Sequence, residues 1–321
     1  MHMSELNREE EIHVRYGSAA SEAMFDFPCH FFRLENFKGI IAYRIEYNCA
    51  VVVGDPICPP EEIAILTNAF HKFCKDEHLN IIYITVSKGF ATFLEKKNKI
   101  CIHVCDELIF DPQIDLSQAS HRMQHRMEKA RKRGLTFHEY IPIDKELEQS
   151  LLDVGNKWES SIKGPHVFLG HLNFFESYTG KRWFYVKDGE KIVSMAMLSK
   201  LEAHHGWLLK FLVTAQTKGF HETSEFMMMS LLDTLKKENC QFLSKGMLPV
   251  DTFEEVKGLN YASTQTLKGI YNLISLLFKF KKRKAYWQRY HPKTVPSYLI
   301  LTSPKRSLNE INALIKIFKT H

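Results

Sequence analysis

The sequence lacks the marks of a secreted or membrane-spanning chain. Its seven cysteines are odd in number and scattered, without a Cys-x-x-Cys pair, which speaks against a disulfide framework. The opening residues, MHMSELNREEEIHVRYGS, contain no apolar core behind a basic start, so no secretory leader is predicted. The longest apolar stretches, such as 269–278, fall short of the roughly 18 residues that a spanning helix needs. We therefore predict a cytoplasmic protein.

Residues that could hold a metal are also few. Cys101, His103 and Cys105 would share one face of a strand, but their apolar neighbours favour packing in a core. His204 and His205 fall in a predicted turn without further ligands nearby. We predict neither a bound metal nor a cofactor.

Acidic residues are scarce in two segments that are rich in lysine and arginine. Residues 120–134 hold six cations and one acid, and residues 278–293 (FKFKKRKAYWQRYHPK) hold seven cations and no acid. These two segments carry more positive charge than the net +6 of the whole chain. Such focused charge indicates a local anionic partner, and cations interleaved with aromatic rings suit either tRNA or an anionic membrane surface.

Two stretches about half a chain apart predict the same order of elements. Residues 39–53 read as a hairpin broken at Tyr47-Asn48, followed by a loop, a helix over 60–79 and the strand NIIYITVS. Residues 182–213 predict three strands, followed by the loop TAQTKGF, the helix HETSEFMMMSLLDTLKKENC and the strand in QFLSKGMLPV. The pattern indicates a diverged internal duplication.

A basic helix is predicted between the two stretches, over SQASHRMQHRMEKARKRG, ending at Gly134. Arg122, Arg126, Lys129 and Arg133 recur at a spacing of four, three and four residues, which places them in one stripe. The predicted organisation is an N-terminal unit over 1–135, ending in the basic helix, and a C-terminal unit over 136–321 with the basic and aromatic segment.

A three-stranded meander that runs into a loop and a helix is similar to the start of the cofactor site in acetyltransferase-like (GNAT) folds. Their signature Q/R-x-x-G-x-G/A exposes backbone amides to a pyrophosphate. Gln216 and Gly219 match its first two positions, but His221 stands where a small residue is needed. The predicted fold class is therefore α/β, with two tandem GNAT-like units and mixed central sheets, and acetyl-CoA is not the expected ligand.

Four motifs occur in the order seen in a known family. They are GDPICPP after the first hairpin, the basic helix HRMQHRMEKARKRGLTF, SKGMLPV after the second unit, and FKFKKRKAYWQRY near the end. Over about residues 30–300 the chain resembles the C-terminal catalytic domain of phosphatidylglycerol lysyltransferases. The resemblance implies transfer of an amino acid from aminoacyl-tRNA to a membrane phospholipid by a protein at the inner face of the membrane.

One departure from the family pattern concerns the strand before the second loop. The family carries an Asp-Leu-Met-Arg-like run there, whereas this chain has LLKFLV, with Lys210 and Val213 near the acid and arginine positions. The amino-acid donor, the acceptor or catalysis itself could therefore differ. Two alternatives remain open: a non-catalytic protein that binds tRNA or anionic lipid, and an acyl-CoA-dependent N-acyltransferase.

The candidate site residues follow from these motifs. His221 and Glu222, at the start of the second long helix, are candidates for proton transfer, and Lys210 for binding a carbonyl oxygen, phosphate or carboxylate. Asp55 is interpreted as a turn residue. The residues predicted to bind tRNA, lipid or substrate are Arg122, Arg126, Lys129, Arg133, Gln216, Gly219, Lys281, Lys282, Arg283, Trp287 and Arg289.

Overall fold

The chain folds around one mixed sheet, which holds 12 strands in the part of the chain that the structure describes. This computed structural model describes residues 3–26, 28–95, 100–114, 121–141, 144–161, 175, 177–215, 220–250, 256–257, 285–302 and 308–318. The strands are β1 (His30–Phe32), β2 (Ile41–Glu46), β3 (Cys49–Val53), β4 (Asn80–Ser87), β5 (Ile100–Phe110), β6 (Leu135–Tyr140), β7 (Lys181–Asp188), β8 (Lys191–Leu201), β9 (Gly206–Thr214), β10 (Leu243–Pro249), β11 (Val256–Lys257) and β12 (Lys293–Leu301). Their order is β1-β2-β3-β4-β12-β5-β10-β9-β8-β7-β6, with β11 pairing to β5.

Helices cover both faces of this sheet. They are α1 (Met3–Tyr16), α2 (Ile63–Asp76), α3 (Lys88–Glu95), α4 (His121–Lys132), α5 (Lys145–Ser161), α6 (Phe220–Lys237) and α7 (Leu308–Phe318). Short 3-10 helices lie at Ser21–Asp26, Pro60–Glu62 and Glu202–His204.

The two halves of the sheet repeat one topology, which confirms the predicted duplication and the mixed α/β class. In the first half, β1, β2 and β3 are antiparallel, and α2 leads from β3 to the parallel strand β4. In the second half, β6 to β9 are antiparallel, and α6 leads from β9 to the parallel strand β10. The first hairpin turns at Tyr47 and Asn48, whose φ angles of 49° and 58° suit a two-residue β-hairpin turn.

The halves join through strands that come from distant parts of the chain. β5 pairs with β10 on one side and with β12 on the other, and β12 also pairs with β4. Helix α1 packs against the first-half core through Ile12 and Tyr16, and also contacts β8 of the second half. Strands from both halves belong to one continuous sheet, so the described strands do not separate two units. The predicted domain boundary at residue 135 therefore stays a prediction.

The two faces of the sheet have different covers, named here the α6 face and the α1 face. On the α6 face, α2 and α3 cover the first half, and α4 and α6 cover the second. On the α1 face, α1 and α7 cover the first half, and α5 covers part of the second. Strand side chains alternate between the faces. Leu198 of β8 therefore packs under α6, whereas Met197 packs with Leu151 of α5.

Position 54, in the GDP motif, requires glycine for two reasons: its backbone conformation is left-handed, and a side chain would have no room. Its φ is +82°, and a Cβ there would lie 2.9 Å from the backbone nitrogen of Ser21. Gly134 has nearly the same φ, +83°, with nothing within 4 Å of a built Cβ. We expect Gly54→Ala to lower the free energy of unfolding by about 3 kcal/mol and Gly134→Ala by about 1 kcal/mol. Urea denaturation measures both, and equal losses would show that contact with Ser21 is unimportant.

Candidate functional site

A β-bulge on β9 places two consecutive side chains, Lys210 and Phe211, on the α1 face. Leu198 pairs with Leu209 and Met197 pairs with Phe211, so Lys210 is the extra residue between two ladder positions. Leu209 lies in the core beneath α6, and Lys210 extends to the α1 face. Bulges often redirect a side chain next to a functional site.

On the α1 face, Lys210 enters a buried cluster of lysines and carboxylates. Its Nζ lies 3.0 Å from Glu22 Oε1 and 2.5 Å from Asp26 Oδ1, both in the Ser21–Asp26 3-10 helix. Lys181 Nζ of β7 lies 2.5 Å from the same oxygen of Glu22 and donates to Ser199 Oγ at 2.8 Å. Two lysines therefore share one carboxylate that is only 3% exposed. This set, with His13, is called the lysine–carboxylate cluster below.

Burial and charge act in opposite directions in this cluster. Burial alone would raise the pKa of Glu22, but Lys181 and Lys210 outweigh it and hold that pKa well below the usual value. Asp26 pairs with Lys210, but burial has the larger effect and raises the pKa of Asp26. For Lys210, burial lowers the pKa, yet Glu22 and Asp26 raise it by more. Glu22 and Lys210 are therefore charged at neutral pH.

A small cleft opens beside the cluster. It has a volume of about 50 Å³, and its walls include Glu10, Asp26, Ser177 and Lys210. Glu10 Oε2 accepts a hydrogen bond of 2.6 Å from Ser177 Oγ. At about 30 Å³ per liquid water molecule, the cleft has room for one or two waters.

His13 adds an arrangement that resembles a serine–histidine–carboxylate triad. Its Nε2 lies 3.1 Å from Ser21 Oγ, and its Nδ1 lies 3.4 Å from Glu22 Oε2. The Ser21 hydroxyl, however, is 1% exposed and donates to the carbonyl of Ser18. Burial also lowers the pKa of His13 to about 4, which makes it a weak base. We interpret this trio as a structural link between α1 and the 3-10 helix.

A second polar group lies where the halves join. Ser244 Oγ of β10 donates to Glu107 Oε1 of β5 at 2.6 Å, and burial raises the pKa of Glu107. Asp55 accepts hydrogen bonds from the backbone N–H and the hydroxyl of Ser87, at 2.9 and 2.6 Å. Both oxygens of Asp55 thus hold the turn after β3, which confirms the interpretation of Asp55 as a turn residue.

The predicted basic stripe of α4 lies on the opposite face of the sheet, against α6. Arg126 and Arg289 both bind Glu225 Oε1 of α6, with 2.5 Å for the Arg289 contact. Glu225 is 3% exposed, and its Oε2 has no hydrogen-bond partner within the described part of the chain. Arg133 pairs with Asp188. These three cations are therefore engaged by acids of this chain, and their binding of an anionic partner stays a prediction.

The predicted catalytic residues are not brought together. Glu222 begins α6 and accepts a hydrogen bond of 2.8 Å from Lys129, which holds the pKa of Glu222 below its usual value. His221 is exposed next to it. Lys210 points to the α1 face, away from the α6 side of the sheet. The three residues predicted to be catalytic therefore lie at two separate sites, one at the start of α6 and one on the α1 face.

Trp287 is not placed for stacking on a base. It is 8% exposed and packs against Phe110, with ring centroids 6.1 Å apart, while Tyr290 is 2% exposed. Trp287 was predicted to bind tRNA, lipid or substrate, whereas the structure packs it together with Tyr290 in the core beneath α6. Arg122 belongs to α4, but its side chain is outside the described atoms. Gln216, Gly219, Lys281, Lys282 and Arg283 lie outside the described residues.

Sequence reasoning missed His13, Glu22, Asp26 and Lys181. The stretch SEAMFD carries two acids among small and apolar residues, which indicates no particular chemistry. Its partner Lys210 lies 188 residues further along the chain from Glu22. The cluster can be recognised only in the structure, where the side chains of Glu22 and Lys210 are buried next to each other.

Comparisons with known proteins agree with the motif order. A family model described as phosphatidylglycerol lysyltransferase, C-terminal, matches residues 12–301. A phosphatidylglycerol lysyltransferase of Staphylococcus aureus is 21% identical over 328 residues, which cover 98% of this chain and 38% of that protein. The chain thus spans about a third of the length of such curated relatives.

Solved structures share the fold. The L-PGS structure from Bacillus licheniformis gives a TM-score of 0.76 at 16% identity, covering 100% of this chain and 98% of that one. The C-terminal domain of an Agrobacterium fabrum protein gives 0.77 at 16% identity, covering 98% and 95%. Among the described helices, none is both long and apolar enough to cross a membrane. With the family model matched over most of its length, the chain belongs to the phosphatidylglycerol lysyltransferase C-terminal family.

Proposed function

We propose that this chain transfers an amino acid from an aminoacyl-tRNA to a membrane phospholipid, such as phosphatidylglycerol, or to a related acceptor. The observation that carries the proposal is the charge arrangement of the lysine–carboxylate cluster beside its cleft. Family membership supports a transferase of the lipid aminoacyl type. The donor and the acceptor are part of the proposal.

The cluster offers complementary groups for an aminoacyl ester. Its carboxylates, Glu22, Asp26 and the neighbouring Glu10, can accept hydrogen bonds from an α-ammonium group. The Lys210 ammonium can donate to the ester carbonyl oxygen and to the oxyanion that develops from it. The cleft, at about 50 Å³, is smaller than an aminoacyl group, so the proposal includes a shift of the cleft walls when the substrate binds.

The transfer needs no further reactant. The acceptor hydroxyl attacks the carbonyl carbon, a tetrahedral intermediate forms, and the bond to the ribose oxygen of the tRNA breaks. The proton of the attacking hydroxyl goes to the departing ribose oxygen. The ester is already activated, so holding donor and acceptor together provides much of the rate enhancement.

A transfer assay with a matched lysine variant tests the proposal. Labelled aminoacyl-tRNAs are incubated with phosphatidylglycerol vesicles, and labelled lipid is measured. We expect Lys210→Met to lower the transfer rate by about 100-fold or more. The control is Lys200→Met on β8, because Lys200 lies over the Trp207 ring on the α6 face, away from the cleft. Equal rates for the two variants would remove Lys210 from the mechanism.

A binding-only role is the second candidate, and a specific observation favours it. Lys181 and Lys210 already form ion pairs with Glu22, and Lys210 also forms an ion pair with Asp26. A protein that binds tRNA without transfer would give no labelled lipid with any aminoacyl-tRNA. In either case, tRNA affinity should fall with salt by a log-log slope of roughly 0.7 to 0.9 per phosphate contact. Acetyl-CoA affinity, measured in parallel, would instead support the N-acyltransferase alternative.

A further inference from the structure

A groove on the α1 face has properties that the transfer reaction does not explain. It lies between α1 and residues 37–38 and has a volume of about 270 Å³. Three of its seven lining residues are cations, one is an acid and three are apolar or aromatic. They are Arg8, Arg15, Lys38, Glu11, Ile12, Tyr16 and Phe37.

The three cations of this groove are available to a ligand. Arg8, Arg15 and Lys38 are exposed, and none forms an ion pair with any residue that the structure describes. This differs from the α4 stripe, where Arg126, Lys129 and Arg133 each form an ion pair with an acid. Arginine side chains bind phosphate oxygens through paired N–H donors, so the groove suits a phosphate-bearing ligand.

A second feature of the same face is apolar. On α7, Ile311 and Ile315 are 38% and 43% exposed and lie one helical turn apart. The buried side of α7 packs into the core cluster that also holds Ile12 and Tyr16 of α1. The cationic groove and the exposed isoleucines therefore belong to two helices that pack over one core.

We propose that this face docks on an anionic phospholipid bilayer. The groove holds a head-group phosphate, while Ile311 and Ile315 enter the interface between head groups and acyl chains. A nucleic-acid backbone would use the cations but leave the isoleucines without a partner. Glu11 weakens the positive potential slightly, and its carboxylate can accept hydrogen bonds from hydroxyls of a glycerol head group.

Docking in this orientation would bring lipid head groups near the lysine–carboxylate cluster. This step of the inference rests on the proposed function. Helix α1 separates the groove from the cleft: Ile12 and Arg15 line the groove, while Glu10 and Val14 line the cleft. An α-helix is about 10 Å across with its side chains. Lipid head groups in the groove would thus lie about one helix diameter from the lysine–carboxylate cluster.

Vesicle sedimentation with charge-matched variants tests the docking face. The test variant is R8A/R15A/K38A, and the control is K72A/K75A/K132A, which removes three exposed cations from α2 and α4 on the α6 face. On phosphatidylglycerol-containing vesicles, we expect the test variant to bind about 100-fold more weakly, at roughly fivefold per cation. The control should bind like wild type. Equal weakening of both variants, or of neither, would overturn the proposal.

Further experiments identify the partner of this face and distinguish the docking proposal from the transfer proposal. I311S/I315S should weaken vesicle binding several-fold, and I65S, which alters an isoleucine 53% exposed on α2, should not. If R8A/R15A/K38A lost tRNA binding and kept vesicle binding, the groove would belong to nucleic acid and the inference would fail. Transfer to a short-chain, water-soluble phosphatidylglycerol is measured on wild type. No product there would reject the transferase, while sedimentation still decides the docking.

Discussion

Replacing Glu22 by alanine should lower the free energy of unfolding by about 3–5 kcal/mol. Glu22 is 3% exposed and is the shared partner of Lys181 and Lys210. Removing one partner of a buried ion pair leaves its charges without compensation in a poorly solvated site. Here one substitution removes the shared partner of two lysines, and of these Asp26 forms a direct ion pair with Lys210. The same loss would detach the 3-10 helix from the sheet and disrupt the proposed aminoacyl site.

Denaturant unfolding of matched variants measures this effect. Asp233→Ala is the control, because Asp233 and Lys237 form an exposed pair one turn apart on α6, for which the loss should stay below about 0.5 kcal/mol. Glu22→Gln keeps the shape of the side chain but removes its charge, so it should destabilise less than alanine. A double variant with Lys210→Met should recover part of the loss, because one stranded charge is gone. A loss below about 1 kcal/mol for Glu22→Ala would show that the cluster is hydrated.

Acid should destabilise the protein through His13, because burial opposes protonation of its ring in the folded chain. Burial lowers the pKa of His13 from 6.5 to about 4, although Glu22 opposes the shift and Lys181 and Lys210 reinforce it. Between pH 6.5 and 4 the unfolded chain binds a proton at His13 that the folded chain does not bind. The free energy of unfolding therefore rises with pH between 4 and 6.5. The contribution of His13 is fully present above pH 6.5, and about 3 kcal/mol of it is lost as the pH drops to 4.

Unfolding free energies measured at several pH values isolate this contribution. His13→Gln can still hydrogen-bond to Ser21 but cannot titrate, so its stability should change less between pH 6.5 and 4.5 than that of wild type. His125→Gln, on the exposed side of α4, should keep the wild-type dependence. Below about pH 4.5 the depressed pKa of Glu22 adds a separate loss, because its carboxylate contributes stability only while it is ionised. Parallel curves for wild type and His13→Gln would contradict the assignment.

Local patterns predicted the repeated unit well. The run NIIYITVS matches β4, and the residues between GIIAYRIE and CAVVV form the turn at Tyr47-Asn48. These features depend on side-chain alternation and on turn residues a few positions apart, which a sequence displays directly. The predicted helix over 60–79 was observed as a 3-10 turn at Pro60–Glu62 followed by α2, which ends at Asp76.

Other elements depended on distant parts of the chain. Nothing around KTVPSYLIL indicates that β12 would enter the first half between β4 and β5. The basic stripe of α4 was predicted correctly as a helix, but its spacing does not show that α6 supplies Glu222 and Glu225 as partners. Likewise Trp287 stands in a basic segment, yet its large apolar ring is buried in the core. Charge and ring content show what a segment could bind, and only packing shows what it already contacts.

The sequence by itself determined the α/β class, the duplication and the family, because periodicity and motif order are properties of the chain alone. The tertiary structure decided which charged groups remain available. Lys210 reaches Glu22 and Asp26 because its side chain lies on the face of the sheet where the Ser21–Asp26 3-10 helix packs, whereas Arg8, Arg15 and Lys38 are left without described partners. The physical reason is that burial and ion pairing depend on residues far apart in sequence, so their energies are set only when the two halves come together.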